Sequence, residues 1–296
     1  MTQSDVETWS PGPVTSASAQ RRAPLPVRVE LARQFTQWRV RGVLLVLAAL
    51  PIIVRLAFLI GGDGDTGSDS SQGLPDFAAQ AQSSGVNFAA FTLSVTGGFL
   101  LTLVVALLFG DMVASEASRS TLKYLLTIPV SRGRLLRTKI VVSLLLLAFG
   151  LLLLAGMSLL VGVLSYGTGG LQIPLGTQLG FGESIARIAG ATAVIGVNLL
   201  WAAGLGTLLT VLTDSPLGAA GGVVLTSIVS SILNAIPALG DVSEFLPTHY
   251  STAFRQLFAS PVDWEPVADS VLVSLIYAVV FVTFAGWWFG RKDISS

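Results

Sequence analysis

The chain has no cysteine, one histidine (His249) and three lysines (Lys123, Lys139 and Lys292) among 296 residues. Without cysteine it can form no disulfide, thiolate nucleophile, iron–sulfur cluster or cysteine-based zinc site. A single histidine excludes the two-histidine zinc motif HExxH. None of the lysines follows a glycine, so the chain carries no Walker A phosphate loop and cannot bind ATP through one. Acidic residues are missing from the middle of its apolar runs, where proton-coupled carriers hold them. Asp111, Glu183, Asp214 and Asp269 stand only at the edges. Charge is scarce altogether, at 11% of residues, against about 25% in an average soluble domain.

What the sequence has in excess is apolar length: 52% of the residues are hydrophobic. Six runs begin near Gly42, Phe88, Ile140, Ile188, Leu217 and Ser270. Each is long enough for a helix to cross about 30 Å of hydrocarbon at about 1.5 Å per residue. The fold class this predicts is all-α, a polytopic membrane protein with six transmembrane helices. The spans are expected at residues 42–61, 88–110, 140–164, 188–213, 217–239 and 270–290. The fifth is the weakest, bounded by Pro216 and Pro237 and carrying Ser227, Ser230, Ser231 and Asn234. The alternative is that one run is re-entrant.

Basic residues set the orientation. Arg21, Arg22, Arg28, Arg33, Arg39 and Arg41 precede the first span. Arg119, Lys123, Arg132, Arg134, Arg137 and Lys139 lie between the second and third, and Arg291 and Lys292 follow the sixth. With six spans these regions share one side, which the positive-inside rule makes cytoplasmic, with both termini inside. Most acids, from Asp63 to Asp269, fall on the other side.

Residues 1–26, rich in Ser, Thr, Pro, Ala and Gln, read as a disordered cytoplasmic tail without the apolar core of a signal peptide. Residues 27–296 form the membrane domain. Within 27–41, Val27, Leu31, Phe35 and Trp38 recur at helical spacing among arginines. This suits an amphipathic helix lying in the membrane interface, with a solvated lead-in to the first span as the alternative. Arg55, near the outer end of span one, is expected to snorkel outward. Asp63, Asp65 and Asp69 only faintly resemble a calcium loop, because Leu74 stands where the closing Glu belongs. Asn198 lies mid-span, as a hydrogen-bonding partner of a neighbouring helix or as a group in a transport pathway.

Residues 111–139 are the most informative stretch. DMVASEASRSTLKYLL has helical character, and Glu116 and Arg119 can pair at i, i+3. Pro129 stops the helix, pushing Ile128 to an extended conformation. Ser131 can cap a second helix that continues into span three. The product is a short helix and a tight elbow joining two membrane helices, able to carry a push from a soluble partner; a plain solvated basic loop is the alternative.

Glu116, Thr121, Leu125, Leu126, Pro129, Ser131, Arg132, Leu135, Leu136 and Lys139 resemble the E…GT…LL..P.SR..LL..K signature of ABC-2 type transporter permeases. Ser120 stands where that family often has glycine. The stretch ELARQFTQWRVR and the ending Phe289, Arg291, Lys292, Asp293 are similar to the family's interfacial helix and close. The resemblance covers residues 27–294. It implies an ABC-2 (type V exporter-like) transmembrane domain and a dimer with a second permease copy, as homodimer or related heterodimer. It also implies a separate ABC ATPase subunit on the cytoplasmic face. The coupling helix would hold Glu116, Arg119, Thr121, Leu122, Leu125 and Leu126, closed by Pro129 and Arg132. Leu31, Phe35 and Trp38 would belong to the interfacial helix, and residues 240–267 to short outer helices closing the exit. ATP and Mg would sit on the partner, with no cofactor, metal or nucleic acid bound by this chain.

The expected function is therefore the permease subunit of an ATP-binding cassette exporter in the cytoplasmic membrane, without enzymatic chemistry of its own. A membrane-embedded sensor or regulatory subunit is the second reading. An intramembrane enzyme is the third, and it lacks any His–Asp pair or GxSxG motif.

Overall fold

The computed structural model describes residues 27–61, 74–112, 114, 132–172, 178–213 and 215–291. The described residues are almost wholly helical and contain no strand, only an isolated bridge between Gln172 and Gln178. The helices are α1 (Val27–Thr36), α2 (Trp38–Gly61), α3 (Leu74–Ala81), α4 (Gly85–Thr96), α5 (Phe99–Gly110), α6 (Arg132–Tyr166), α7 (Phe181–Asn198), α8 (Leu200–Leu212), α9 (Pro216–Asn234) and α10 (Glu265–Arg291). Two 3₁₀ segments, Pro237–Phe245 and Ala253–Phe258, lie between α9 and α10. Pro51 is accommodated inside α2. Ser215 caps α9, its hydroxyl accepting from Gly218 N–H, and Pro216 follows at the first helical position, where its missing donor costs nothing.

Five helices or helix pairs are long and apolar enough to cross a membrane: α2, α6, α7–α8, α9 and α10. α7 and α8 count as one because the interruption at Leu199 leaves the ladder intact: Leu199 N–H donates to Ile195 O and Ala203 N–H to Leu199 O, both at 3.0 Å. The second apolar run differs from the single span expected. It is two helices, α4 and α5, bent by 62° at Gly97–Gly98. The interruption thus falls here and not in the fifth run.

The two ends of this bent pair lie at opposite ends of α6. α4 starts against the far end of α6, where a methyl group on Gly85 would lie 2.5 Å from Val163 N. Met112, just beyond α5, accepts a hydrogen bond from Lys139 near the beginning of α6. Those points on α6 are 24 residues apart, about 36 Å at about 1.5 Å per residue. A re-entrant hairpin would return to its starting level; this pair does not. The described residues therefore hold five candidate crossings, or six with the bent pair counted as one. α10 runs parallel to α7–α8, Ser274 meeting Asn198 and Ala278 meeting Gly204. Both Arg33 and Arg291 thus lie toward one end of the bundle, with Arg39, Arg134, Arg137 and Lys139; that end is called the basic face below.

A break in a membrane helix frees backbone carbonyls that must find donors. Here Arg255 supplies one, and threonine hydroxyls add second donors to carbonyls on either side of the break. Thr96 Oγ1 donates to Thr92 O at 2.8 Å, and Thr102 Oγ1 to Gly98 O at 3.1 Å. Arg255 Nη2 donates to Ser94 O at 3.2 Å. The ring of Phe254 fills the notch, so close that a Cβ on Gly97 would meet it at 3.1 Å. Only glycine admits that approach.

The core runs through the middle of the bundle, with Leu93, Leu101, Val105, Phe109, Leu154, Ile188 and Ile195 buried. α7–α8 is the central helix and α2 and α10 are peripheral: 78% of the most apolar window is buried in the first, 11% and 17% in the others. Leu45, Ile53, Leu152, Leu225 and Val279 turn outward, a surface fit for lipid and not for water.

Candidate functional site

At the basic face, α1 folds back along the beginning of α6. Its inner side is not the stripe the sequence suggested. Leu31 and Phe35 do pack there, against Val40, Val142 and Leu146, and Phe35 meets Phe149 edge-on at 5.6 Å between centroids. Beside them, however, lie Glu30 and Gln34, both buried. Trp38 opens α2 after the interruption at Gln37 and is 85% exposed.

Glu30 is the hub of this corner. Its carboxylate accepts two hydrogen bonds from Arg33, at 2.9 and 2.8 Å. A third comes from Gln34 Nε2 at 3.2 Å. Lys139 Nζ approaches to 3.8 Å and donates to Met112 O at 2.9 Å. Burial pushes the Glu30 carboxyl up, but the Arg33 hydrogen bonds, the Lys139 charge and the Gln34 amide together outweigh it and hold the group below its ordinary value of 4.5. A buried ion pair persists only when further hydrogen bonds satisfy its members; the Glu30 oxygens meet that condition.

These contacts fix the edges of residues 115–131. On the entering side, Met112 O is held by Lys139 from α6, and Ala114 N–H donates to Thr210 Oγ1 of α8 at 3.0 Å. Asp111 pairs with Arg39 at the start of α2. On the leaving side the chain resumes directly as α6. Glu116, Arg119, Thr121, Leu122, Leu125, Leu126 and Pro129 lie outside the described residues, as do Asp63, Asp65 and Asp69. Arg132 begins α6, but its side chain lies outside them too.

Asn198 lies elsewhere, in the middle of the bundle and buried. Its Nδ2 donates to Tyr250 O at 2.8 Å, and Ser274 Oγ donates to its Oδ1 at 2.9 Å. The side chain thus bridges α7, the segment before Ala253 and α10. Arg55 does not simply reach outward: it donates to Tyr166 Oη at 3.0 Å and stacks on that ring, 4.7 Å from the centroid.

Next to the Glu30 corner is a cavity of about 670 Å³ between α1, α2, α5 and α9. Among the described residues no group of three or more His, Cys, Asp or Glu is placed to hold a metal ion. Reading the sequence did not find the Glu30–Lys139–Met112 cluster. Its signal was one acid in the otherwise basic stretch 27–41, and a lysine directly ahead of a long apolar run.

A family model described as Protein of unknown function (DUF2705) matches residues 70–295. No curated protein matches the chain.

Proposed function

The chain belongs to the DUF2705 family, whose description names no activity, and we propose that it is the permease subunit of an ATP-binding cassette exporter of the ABC-2 type. The observation that carries this reading is the clamp at the basic face. The segment bearing the Glu116–Arg132 signature enters from Met112 and Ala114, which are pinned to α6 and α8, and leaves directly into α6. Force applied to such a segment reaches two membrane helices and, through Glu30, the helix preceding span one.

The basic face is the cytoplasmic one by the positive-inside rule, so both termini are cytoplasmic and the ATPase docks there. Residues Glu116 to Leu126 form the coupling helix seated on it. α1, with Leu31 and Phe35 turned toward α6 and its arginines outward, is the amphipathic helix at the interface. ATP and Mg bind the partner, because this chain has no Walker A lysine. A second permease copy completes the transporter. Nucleotide-driven closure of the ATPases pushes the two elbows and swings the halves apart.

The test is reconstitution. The purified chain alone should hydrolyse no ATP. A nucleotide-binding subunit should co-purify from native membranes, and Glu116→Lys should preserve that partner's basal ATPase while abolishing its stimulation. ATP turnover by the isolated chain would refute the reading, as would native membranes from which no ATPase co-purifies.

A further inference from the structure

The break between α4 and α5 borders a pocket of about 80 Å³. Gly97, Gly98, Thr102, Trp201, Ser227 and Ser251 are among the residues that line it. Its walls come from α5, α7–α8, α9 and the segment 247–251, all of them described. Gly97 stands 12 residues after Gly85 and 15 before Met112, so the pocket lies about midway along the bent pair.

Hydrogen-bonding groups of both kinds are unused here. Gly98 precedes α5 without a side-chain cap. Among the described residues the N–H groups of Gly98 and Leu101 find no acceptor and Gly97 O finds no donor; the ladder resumes only with Thr102 N–H donating to Gly98 O at 3.4 Å. Such orphan groups are normal at a helix end in water and costly away from it. Two side chains add to them. Ser227 and Trp201 are each 4% exposed, and among the described residues neither the Ser227 hydroxyl nor the Trp201 indole N–H has a hydrogen-bond partner. The partnerless hydroxyls that are fully enclosed are those of Ser94 and Ser270. Ser227 Oγ and Trp201 Nε1 therefore front open space, and the space that both residues line is this pocket. The other polar groups there are already engaged: Thr102 with Gly98 O, Asn198 with Tyr250 O and Ser274, and Thr248 with Ser230.

The chemistry of the unused groups selects the occupant. The indole and the two amides only donate, Gly97 O only accepts, and a serine hydroxyl does either. No charged side chain lines the pocket, so nothing there neutralises an ion. An apolar occupant would leave all of these groups unpaired. The ligand must therefore donate, accept, carry no charge and fit in about 80 Å³, well below the about 300–1,000 Å³ of small-molecule sites. Water meets each condition, and a polar cavity that offers it about two to four partners holds it.

We infer that this pocket is a hydration site, in which a small group of bound waters replaces the ladder bonds broken by the bend at Gly97–Gly98. Ser227 and Trp201 are the side chains that hold them. The inference rests on the fold alone and not on the transport reading.

The indole N–H groups provide the readout. The full chain, isotopically labelled at tryptophan nitrogen, is reconstituted in bilayers, and polarisation transfer from water protons to each indole is followed by solid-state NMR. The Trp201 signal is the one lost in Trp201→Phe. It should build up as fast as that of Trp264, which is 63% exposed, although Trp201 is buried. Ser227→Leu, which fills the pocket, should abolish the fast build-up at Trp201 and leave Trp264 unchanged. Ser227→Ala, which leaves room, should preserve it. Thr102→Leu fills the pocket from another wall and takes the place of Ser227→Leu if that variant does not fold. Slow build-up at Trp201 in the unaltered chain overturns the proposal, as does fast build-up that survives filling of the pocket. Transfer to Trp201 from acyl-chain protons in place of water also overturns it, because lipid would then be the occupant. A Trp201 resonance that moves when chloride is exchanged for gluconate does the same in favour of an anion.

Discussion

Lys139→Met removes the cation from the Glu30 corner and is expected to destabilise the basic face by about 3 kcal/mol. Two contributions add. Loss of a charge-assisted hydrogen bond to a buried carbonyl costs about 1.5–3 kcal/mol, and the bond from Lys139 to Met112 O is 2.9 Å long. Leaving a buried carboxylate short of a partner costs about 3–5 kcal/mol when that partner is essential. Here the ion pair is long, 3.8 Å, and Glu30 keeps three hydrogen bonds from Arg33 and Gln34, so only a fraction of that range applies. The double variant Glu30→Gln, Lys139→Met removes both charges and should cost less than the sum of the single variants, with a coupling of about 1 kcal/mol. Unfolding in mixed detergent micelles, followed by tryptophan fluorescence, measures all three. A loss below about 0.5 kcal/mol for Lys139→Met, or strict additivity in the double variant, would refute the reasoning, because either outcome means the corner holds nothing together.

The Glu30 carboxyl lies below its ordinary value in the native state. Its contribution is therefore complete above about pH 4.5 and lost as pH falls through the lowered native value. Wild type should lose stability in that window relative to Glu30→Gln, and parallel pH profiles would show that the carboxylate is not held. Gly97→Ala would press a methyl group against Phe254 and Leu93 O and should cost about 1–3 kcal/mol, loosening the 253–258 segment to protease; an unchanged digestion pattern would count against the notch. Asn198→Leu deprives Tyr250 O of its donor and Ser274 of its acceptor, with an expected loss of about 1 kcal/mol by denaturation. Single cysteines introduced as Ser83→Cys, before α4, and Gly133→Cys, at the start of α6, should react with an impermeant reagent from opposite sides of a sealed membrane. Labelling from the same side would remove the crossing assigned to the bent pair.

The sequence alone placed the apolar runs, because about 20 apolar residues is a length set by the bilayer and needs no tertiary information. It placed the side shared by the basic clusters for the same reason: charge near span ends is a local property. Gly97 and Gly98 were visible, but their consequence was not. Whether two glycines bend a helix depends on what fills the notch, and Phe254 is 157 residues away in the chain. The same holds for Asn198, which periodicity put mid-span but whose partners, Tyr250 and Ser274, come from elements brought alongside only by folding.

At the basic face the division is sharper. Helical spacing identified Leu31 and Phe35 as one face of α1, and both are on the buried side. It also enlisted Trp38, which the interruption at Gln37 rotates outward, since a periodic pattern cannot register a break in the helix that carries it. Helical spacing gave Glu30 no role. Only the packing of α1 along α6 buries it and brings it to Lys139, 109 positions on. What the residues decided by themselves was where this protein meets hydrocarbon and which ends share a side. Which charges are buried together, where the second apolar run bends and what shape the cavity takes were left to tertiary structure, because each depends on groups distant in sequence meeting at a few ångströms.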